Sequence, residues 1–305
     1  MTQHHSSFRR AFVRFAMLLV FTQPSALAQA DEPLLHSGFE GVTIEAYGSD
    51  GQHQRIRGVD AATGGDWDRF AEHFADVYLF YLNGSRPAGE HAGAELVEDG
   101  GGPGQSLRLT VSEDAPGDRA LTRAELSLFP HEEPGSVFAE EGYVSYRMKL
   151  GEDLREEPWP EHWINFFEIK EKRVQGRENY RITFYIYKRG DGAPYWSLAT
   201  QDTSEDARPV EVRLDNFEVP VPIGRWFEVE ACWKKHATAG RLWLAIDDQT
   251  VFDYVGRTEH ETNPQPIRFW SPLKNYRAVE WLEGPREVSV LYDDVEFRRS
   301  CPGAS

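Results

Sequence analysis

The sequence predicts an all-β protein, a two-sheet antiparallel β-jelly roll, and three observations carry that expectation. Stretch after stretch alternates apolar and polar residues with the period of two that a half-buried strand requires. Turn-forming clusters such as "RGDGAP", "ATAG", "DDQ" and "EGP" fall between those stretches. About 275 residues follow the first thirty with no internal repeat and no interdomain linker, a length that suits one large sandwich.

Taken in order, residues 1–30 read as a secretory leader. Arg9, Arg10 and Arg14 form a basic start, "FAMLLVF" a short apolar run, and Ala28-Gln29-Ala30 a small-residue end with cleavage expected after Ala30. The run is too short to span a bilayer, and no later segment approaches the roughly 18 apolar residues of a membrane span. A periplasmic or secreted monomer of residues 31–305 is expected. Its strands are predicted at 105–112, 123–129, 142–150, 163–172, 180–188, 195–200, 225–234, 240–247, 249–256, 266–273 and 287–297. The one helical stretch is 66–82, whose aromatic density leaves it ambiguous, and "AGAELVEDGGGPGQ" (92–105) reads as a Gly-rich loop. "SGFEG" (37–41) and "LYDDVEF" (291–297) are expected to pair as first and last strands. Asp293-Asp294 reads as a turn on a solvated edge, or as oxygen ligands for a structural Ca²⁺.

Charge and cysteine content narrow the function. The chain carries a formal charge of −17, and loss of the three leader arginines takes it to −20. Nucleic acid is a poor partner for such a body, because that binding rests on clustered cations. The two cysteines, Cys232 and Cys301, are either one disulfide closing a long loop or two free thiols. Phosphate-binding, zinc-protease, serine-hydrolase and CxxC motifs are absent from the sequence.

The polar halves of the central strands are the informative part. In "TRAELSLFP" (122–130), Ala124, Leu126 and Leu128 make a core face while Arg123, Glu125 and Ser127 share the other. In "YRITFYIYK", Arg181, Thr183, Tyr185 and Tyr187 lie opposite Ile182, Phe184 and Ile186. Glu168, Lys170 and Lys172 share a face of their strand, and "RFWSPLKNYR" adds Arg268, Trp270, Lys274 and Tyr276. Cations and aromatic planes on adjacent strands suit a sugar, whose C–H face stacks and whose hydroxyls hydrogen-bond. Trp163, Trp196 and Trp270 are candidates for the stacking platform, with Trp163 the weakest because its parity matches the core side of its strand. Strands also favour aromatics for packing alone.

"RAEL", the polar-x-polar strand about fifty residues on, and "LKNYR" before the last strand resemble the jelly-roll polysaccharide lyases, the relatives of alginate lyase, glucuronan lyase and heparin lyase I. The resemblance spans residues 37–298 in order and is specific in those three short motifs. It implies a concanavalin-like sandwich that cleaves a uronate-containing, acidic polysaccharide by β-elimination with no required cofactor. That chemistry needs a neutralised C5 carboxylate, a base for the C5 proton and an acid for the departing O4. By the resemblance, Arg123 holds the carboxylate, Glu125 orients it, and Tyr276 gives and takes protons with Lys274 beside it. Asn275 stands where glycine is usual. The third motif departs: the family's Gln-Ile-His is here Glu168-Ile169-Lys170, which leaves Lys170 as the candidate base. His162 lies too far along its strand to replace the histidine. Arg181, Tyr185, Tyr187 and Trp270 are expected to line the groove. Two other readings stay open: a binding module without catalysis, and a glycoside hydrolase using Glu168 with Glu125, the one carboxylate pair whose phases allow it.

Overall fold

Each stretch read as alternating becomes a strand in the computed structural model, which describes residues 32–47, 53–83, 86–87, 91–98, 104–112, 121–131, 136–156, 159–172, 180–190, 192–202, 210–278 and 287–301. The expected leader lies outside the described residues. The elements are β1 (Leu35–Ser37), β2 (Thr43–Tyr47), β3 (His53–Arg57), α1 (Trp67–His73), β4 (Ala75–Asn83), β5 (Arg86–Pro87), β6 (Ala92–Glu98), β7 (Gln105–Ser112), β8 (Leu121–Pro130), β9 (Glu141–Leu150), α2 (Asp153–Glu156), β10 (Trp159–Glu171), β11 (Tyr180–Gly190), β12 (Tyr195–Asp202), β13 (Val210–Asn216), β14 (Trp226–Lys234), β15 (Gly240–Ile246), β16 (Gln249–Gly256), β17 (Ile267–Ala278) and β18 (Glu287–Arg298).

Two antiparallel sheets make a jelly-roll sandwich. One runs β16-β15-β14-β9-β18-β7-β6, with β1 on β18; the other runs β13-β12-β11-β10-β17-β8-β4-β3-β2, with β5 on β4. Their inner faces share one apolar core, in which Val144, Tyr146, Met148 and Tyr292 of the first sheet join Leu126, Leu128, Ile169 and Trp270 of the second. That burial is the main source of stability in a sandwich of this kind.

Several expectations change. The ambiguous stretch 66–82 is both structures: Asp66 caps α1 by accepting from Arg69 N at 3.0 Å, and the chain then turns into β4. Val77, Leu79 and Tyr81 are the buried half of that strand, so period two wins where the aromatic run begins. The Gly-rich loop starts as a strand, because β6 finds a ladder on β7. β2, β3 and β13 carry little apolar alternation and are paired strands all the same, with β2 and β13 at the two edges of their sheet. The first and last strands do pair, Leu35 with Phe297 and Ser37 with Val295. The first strand ends earlier than expected, at Ser37, whose hydroxyl accepts from Phe39 N at 3.1 Å and turns the chain. At the other end Asp294 has φ 51° in a register break, with Asp293 held 3.6 Å from Arg147. Among the described residues no group of three or more His, Cys, Asp or Glu is placed to hold a metal ion. Cys232 and Cys301 are joined in a disulfide that ties the chain beyond β18 to β14.

Candidate active site

Four central strands of the ten-stranded sheet assemble the site on its outer face. Register places Tyr276 of β17 opposite Arg123 of β8, and Lys274 opposite Glu125. On β10, Glu168 faces Thr183 and Lys170 faces Arg181, both on β11. Arg123, Glu125, Glu168, Lys170, Arg181, Lys274 and Tyr276 therefore lie together on one face.

Two bulges set this phase. β10 slips between Asn165 and Phe167, so Phe166 and Phe167 both point into the core. Trp163 and Asn165 are thereby turned onto the site face, which corrects the parity that assigned Trp163 to the core. β17 slips between Trp270 and Leu273, which separates Trp270 from Lys274 and Tyr276. Trp270 is thus not a groove residue: it is fully buried among Phe138, Phe167, Trp233 and Phe297. Trp196 is equally buried, against Phe166 and Phe227. Trp163 alone of the three lines the face, with its ring centroid 5.6 Å from Tyr185 and 5.0 Å from Tyr276.

The charged groups form a layered cluster. Glu168 contacts Arg181 and Lys274 directly and lies 3.5 Å from Lys170. Glu125 lies 2.9 Å from Lys274 and 3.8 Å from Arg123. Side-chain exposure is 1% for each carboxylate and 0% for Lys274, against 14% for Lys170, 15% for Arg181 and 22% for Arg123. So Glu125, Glu168 and Lys274 are a buried floor, and the other three cations are its partly open rim. Glu125 and Lys274, expected to touch substrate, sit beneath that rim instead. Glu168 is paired with cations and so does not face a bound anion as a bare carboxylate. Burial works against its ionisation, but Arg181, Lys170 and Lys274 outweigh it and hold its pKa well below the usual carboxylate range. Glu125 is likewise lowered against burial, by Arg123 and Lys274.

Four cations against two ionised carboxylates leave the cluster two positive charges in surplus. Tyr276 stands at its edge, with the Arg123 guanidinium 5.9 Å and the Lys274 ammonium 5.1 Å from its ring centroid. Burial raises its phenol, more than Arg123 and Arg181 lower it. Next to it on β10 is Asn165, absent from the sequence reading because the bulge hid its phase. Asn165 is completely buried, and neither its amide nitrogen nor its oxygen has a hydrogen-bond partner among the described residues. An orphaned amide in such a place is poised for a ligand group. Tyr185 and Tyr187 continue the face, 5.4 Å apart, with burial first pushing Tyr187 up to about 12. The side chain of His162 is outside the described residues.

The chain matches no protein-family profile and no curated protein sequence. Among solved structures it is similar to an endo-β-1,4-glucuronan lyase from the fungus Trichoderma reesei, with TM-score 0.50 and 16% identity over 72% of this chain and 95% of that one. It is also similar to the alginate lyase Aly36B, at TM-score 0.47 and 16% identity over 72% of this chain and 94% of that one. A variant of Aly36B in complex with an alginate tetrasaccharide gives TM-score 0.49 and 14% identity, over 87% of this chain and 96% of that one. At such identities the glucuronan lyase likeness is one of fold, and function has to be argued from the site.

Proposed function

We propose that the protein is a polysaccharide lyase that cleaves a uronate-containing polymer by β-elimination. The observation that carries this reading is the surplus of two positive charges, built into a partly open cluster beside a tyrosine, on a protein that is acidic overall. Arg123, Arg181, Lys170 and the amide of Asn165 neutralise the C5 carboxylate, with the guanidinium forks suited to bidentate binding. Neutralisation acidifies the C5 hydrogen. Tyr276, as phenolate, takes that proton; the electron pair forms the C4–C5 double bond as the C4–O4 bond breaks; the new phenol then protonates O4. In this reading Lys170, 3.5 Å from Glu168, serves as charge stabiliser, and Tyr276 takes the base role in its place.

The hydrolase alternative needs a protonated carboxylic acid at the scissile bond. Glu125 and Glu168 are both held ionised and both buried, so neither suits that role. The leader expected on residues 1–30 agrees with a substrate met outside the cytoplasm. The test is incubation with alginate, glucuronan, heparinoids and neutral glucans, recording near-ultraviolet absorbance and reducing ends together. The expected result is rising absorbance on an acidic polymer that disappears in Tyr276→Phe. Reducing ends without absorbance would mean hydrolysis, and retention on a polysaccharide column with neither signal would mean a binding module.

A further inference from the structure

Beyond the charged cluster, the same outer face holds a pocket of about 500 Å³ between β2, β3, β4, β8 and the start of β17. Its floor is Phe80 and Phe129, 5.6 Å apart, with Tyr78 5.8 Å from Phe129. Its rim carries Tyr47, which is 42% exposed, together with His53, His131 and Arg268. Asp76, the one acidic group of the lining among the described residues, is matched by Arg55 at 3.4 Å, and Arg55 also stacks 3.7 Å from the centroid of Tyr47. Arg268 is exposed and enters no ion pair among the described residues. Among the described residues the pocket thus offers aromatic planes and a guanidinium outside any ion pair, with the lining's one acid, Asp76, paired to Arg55.

The pocket is joined to the cluster. Phe269 lies 5.5 Å from Phe129 and 5.1 Å from the Lys170 ammonium. Lys274, Glu125, Phe80 and His53 follow one another in register across β17, β8, β4 and β3. At the usual strand spacing that row covers about 14 Å. On the other side of the cluster the aromatic line continues through Trp163, Tyr185, Tyr187, Tyr195 and Phe217, which is 70% exposed. A polymer crossing the strands over the cluster passes over this pocket.

We propose that the pocket is a distal subsite for a uronate unit of the same polysaccharide, whose ring stacks on the aromatic floor and rim while Arg268 takes its carboxylate. The proposal rests on the substrate class argued for the cluster. It matches the chemistry of the lining, since a neutral sugar needs no free guanidinium and an apolar ligand needs neither Arg268 nor the two histidines.

The test measures binding by calorimetry in the Tyr276→Phe background, using alginate, glucuronan and heparinoid oligosaccharides of three and six units. The longer ligand is expected to bind about tenfold more tightly through the added charge-assisted contact. Arg268→Ala, and separately Tyr47→Ala, is expected to erase that gain and leave the shorter ligand unchanged. Both positions are exposed, and thermal melts check that the fold is kept. Equal affinities for the two lengths, or a length gain untouched by both substitutions, would overturn the subsite. Length-dependent binding lost in Arg268→Ala, with no unsaturated product from the wild type, supports the subsite while sinking the lyase reading. No binding of either length overturns both.

Discussion

At the scale of the residue, the cluster is held by opposition rather than by any one bond. Glu168 loses hydration on burial and stays ionised only because three cations surround it, and Glu125 does the same with two. The carboxylates in turn fix Lys274 and the rim cations in place before a ligand arrives, the preorganisation that makes electrostatic catalysis effective. Tyr276 then sets the pH dependence. Its phenol is raised above the ordinary value of about 10, so near neutral pH only a minute fraction is phenolate. That fraction grows tenfold with each pH unit below the pKa. The expected profile is log kcat rising with a slope near one from about pH 7 to about pH 10, measured by initial rates of near-ultraviolet absorbance. A plateau from pH 7 upward would assign the proton abstraction to a group of lower pKa and remove Tyr276 from the base role.

At the scale of the element, strands were legible and their phases were not always. Alternation in β8 and β11 put Arg123, Glu125, Arg181, Tyr185 and Tyr187 on the right face from sequence alone, because neither strand breaks register there. β10 and β17 each contain a bulge, and one inserted residue exchanges the two faces on either side of it. Trp163 was therefore ranked the weakest groove candidate and Trp270 was read as groove, whereas Trp163 lines the face and Trp270 is core, and Asn165 was passed over. The pocket under Tyr47 escaped for another reason: β2, at the sheet edge, and β3 beside it have little apolar patterning to read. The disulfide is a further property of elements, since it joins β14 to the end of the chain across 69 residues. A loop of that length gives roughly 4 kcal/mol in the chain-entropy account. Cys232→Ala/Cys301→Ala is expected to lower the unfolding free energy by about 2–5 kcal/mol in urea titrations. A loss under about 0.5 kcal/mol would place it among ordinary surface changes and show the bridge to be dispensable.

At the scale of the whole molecule, a positive site sits on a negative body. The chain has a formal charge of −17, while the cluster carries a surplus of two positive charges on its outer face. Among the described residues no helix is long and apolar enough to cross a membrane. An acidic polymer meets the field of the body first and the cluster only at short range. Salt acts differently on the two. Between about 10 and 150 mM ionic strength the Debye length falls from about 30 Å to about 8 Å, which removes repulsion from distant carboxylates. The ion pairs of the floor are buried and little affected, and the contact between rim cations and a bound carboxylate is shorter than either length. Association is thus expected to speed up with salt in this range, the opposite of a basic groove that draws a polyanion from afar. The measurement is kcat/KM on a long acidic polymer and on a trisaccharide of the same sugar, at about 10, 150 and 1000 mM ionic strength. The polymer is expected to gain about twofold or more up to the middle value, and the trisaccharide, with fewer charges to repel, to gain less. At the highest value, with a Debye length near 3 Å, both decline as the rim itself is screened. A steady fall for the polymer from the lowest salt upward would mean that the cluster, not the acidic body, governs the encounter.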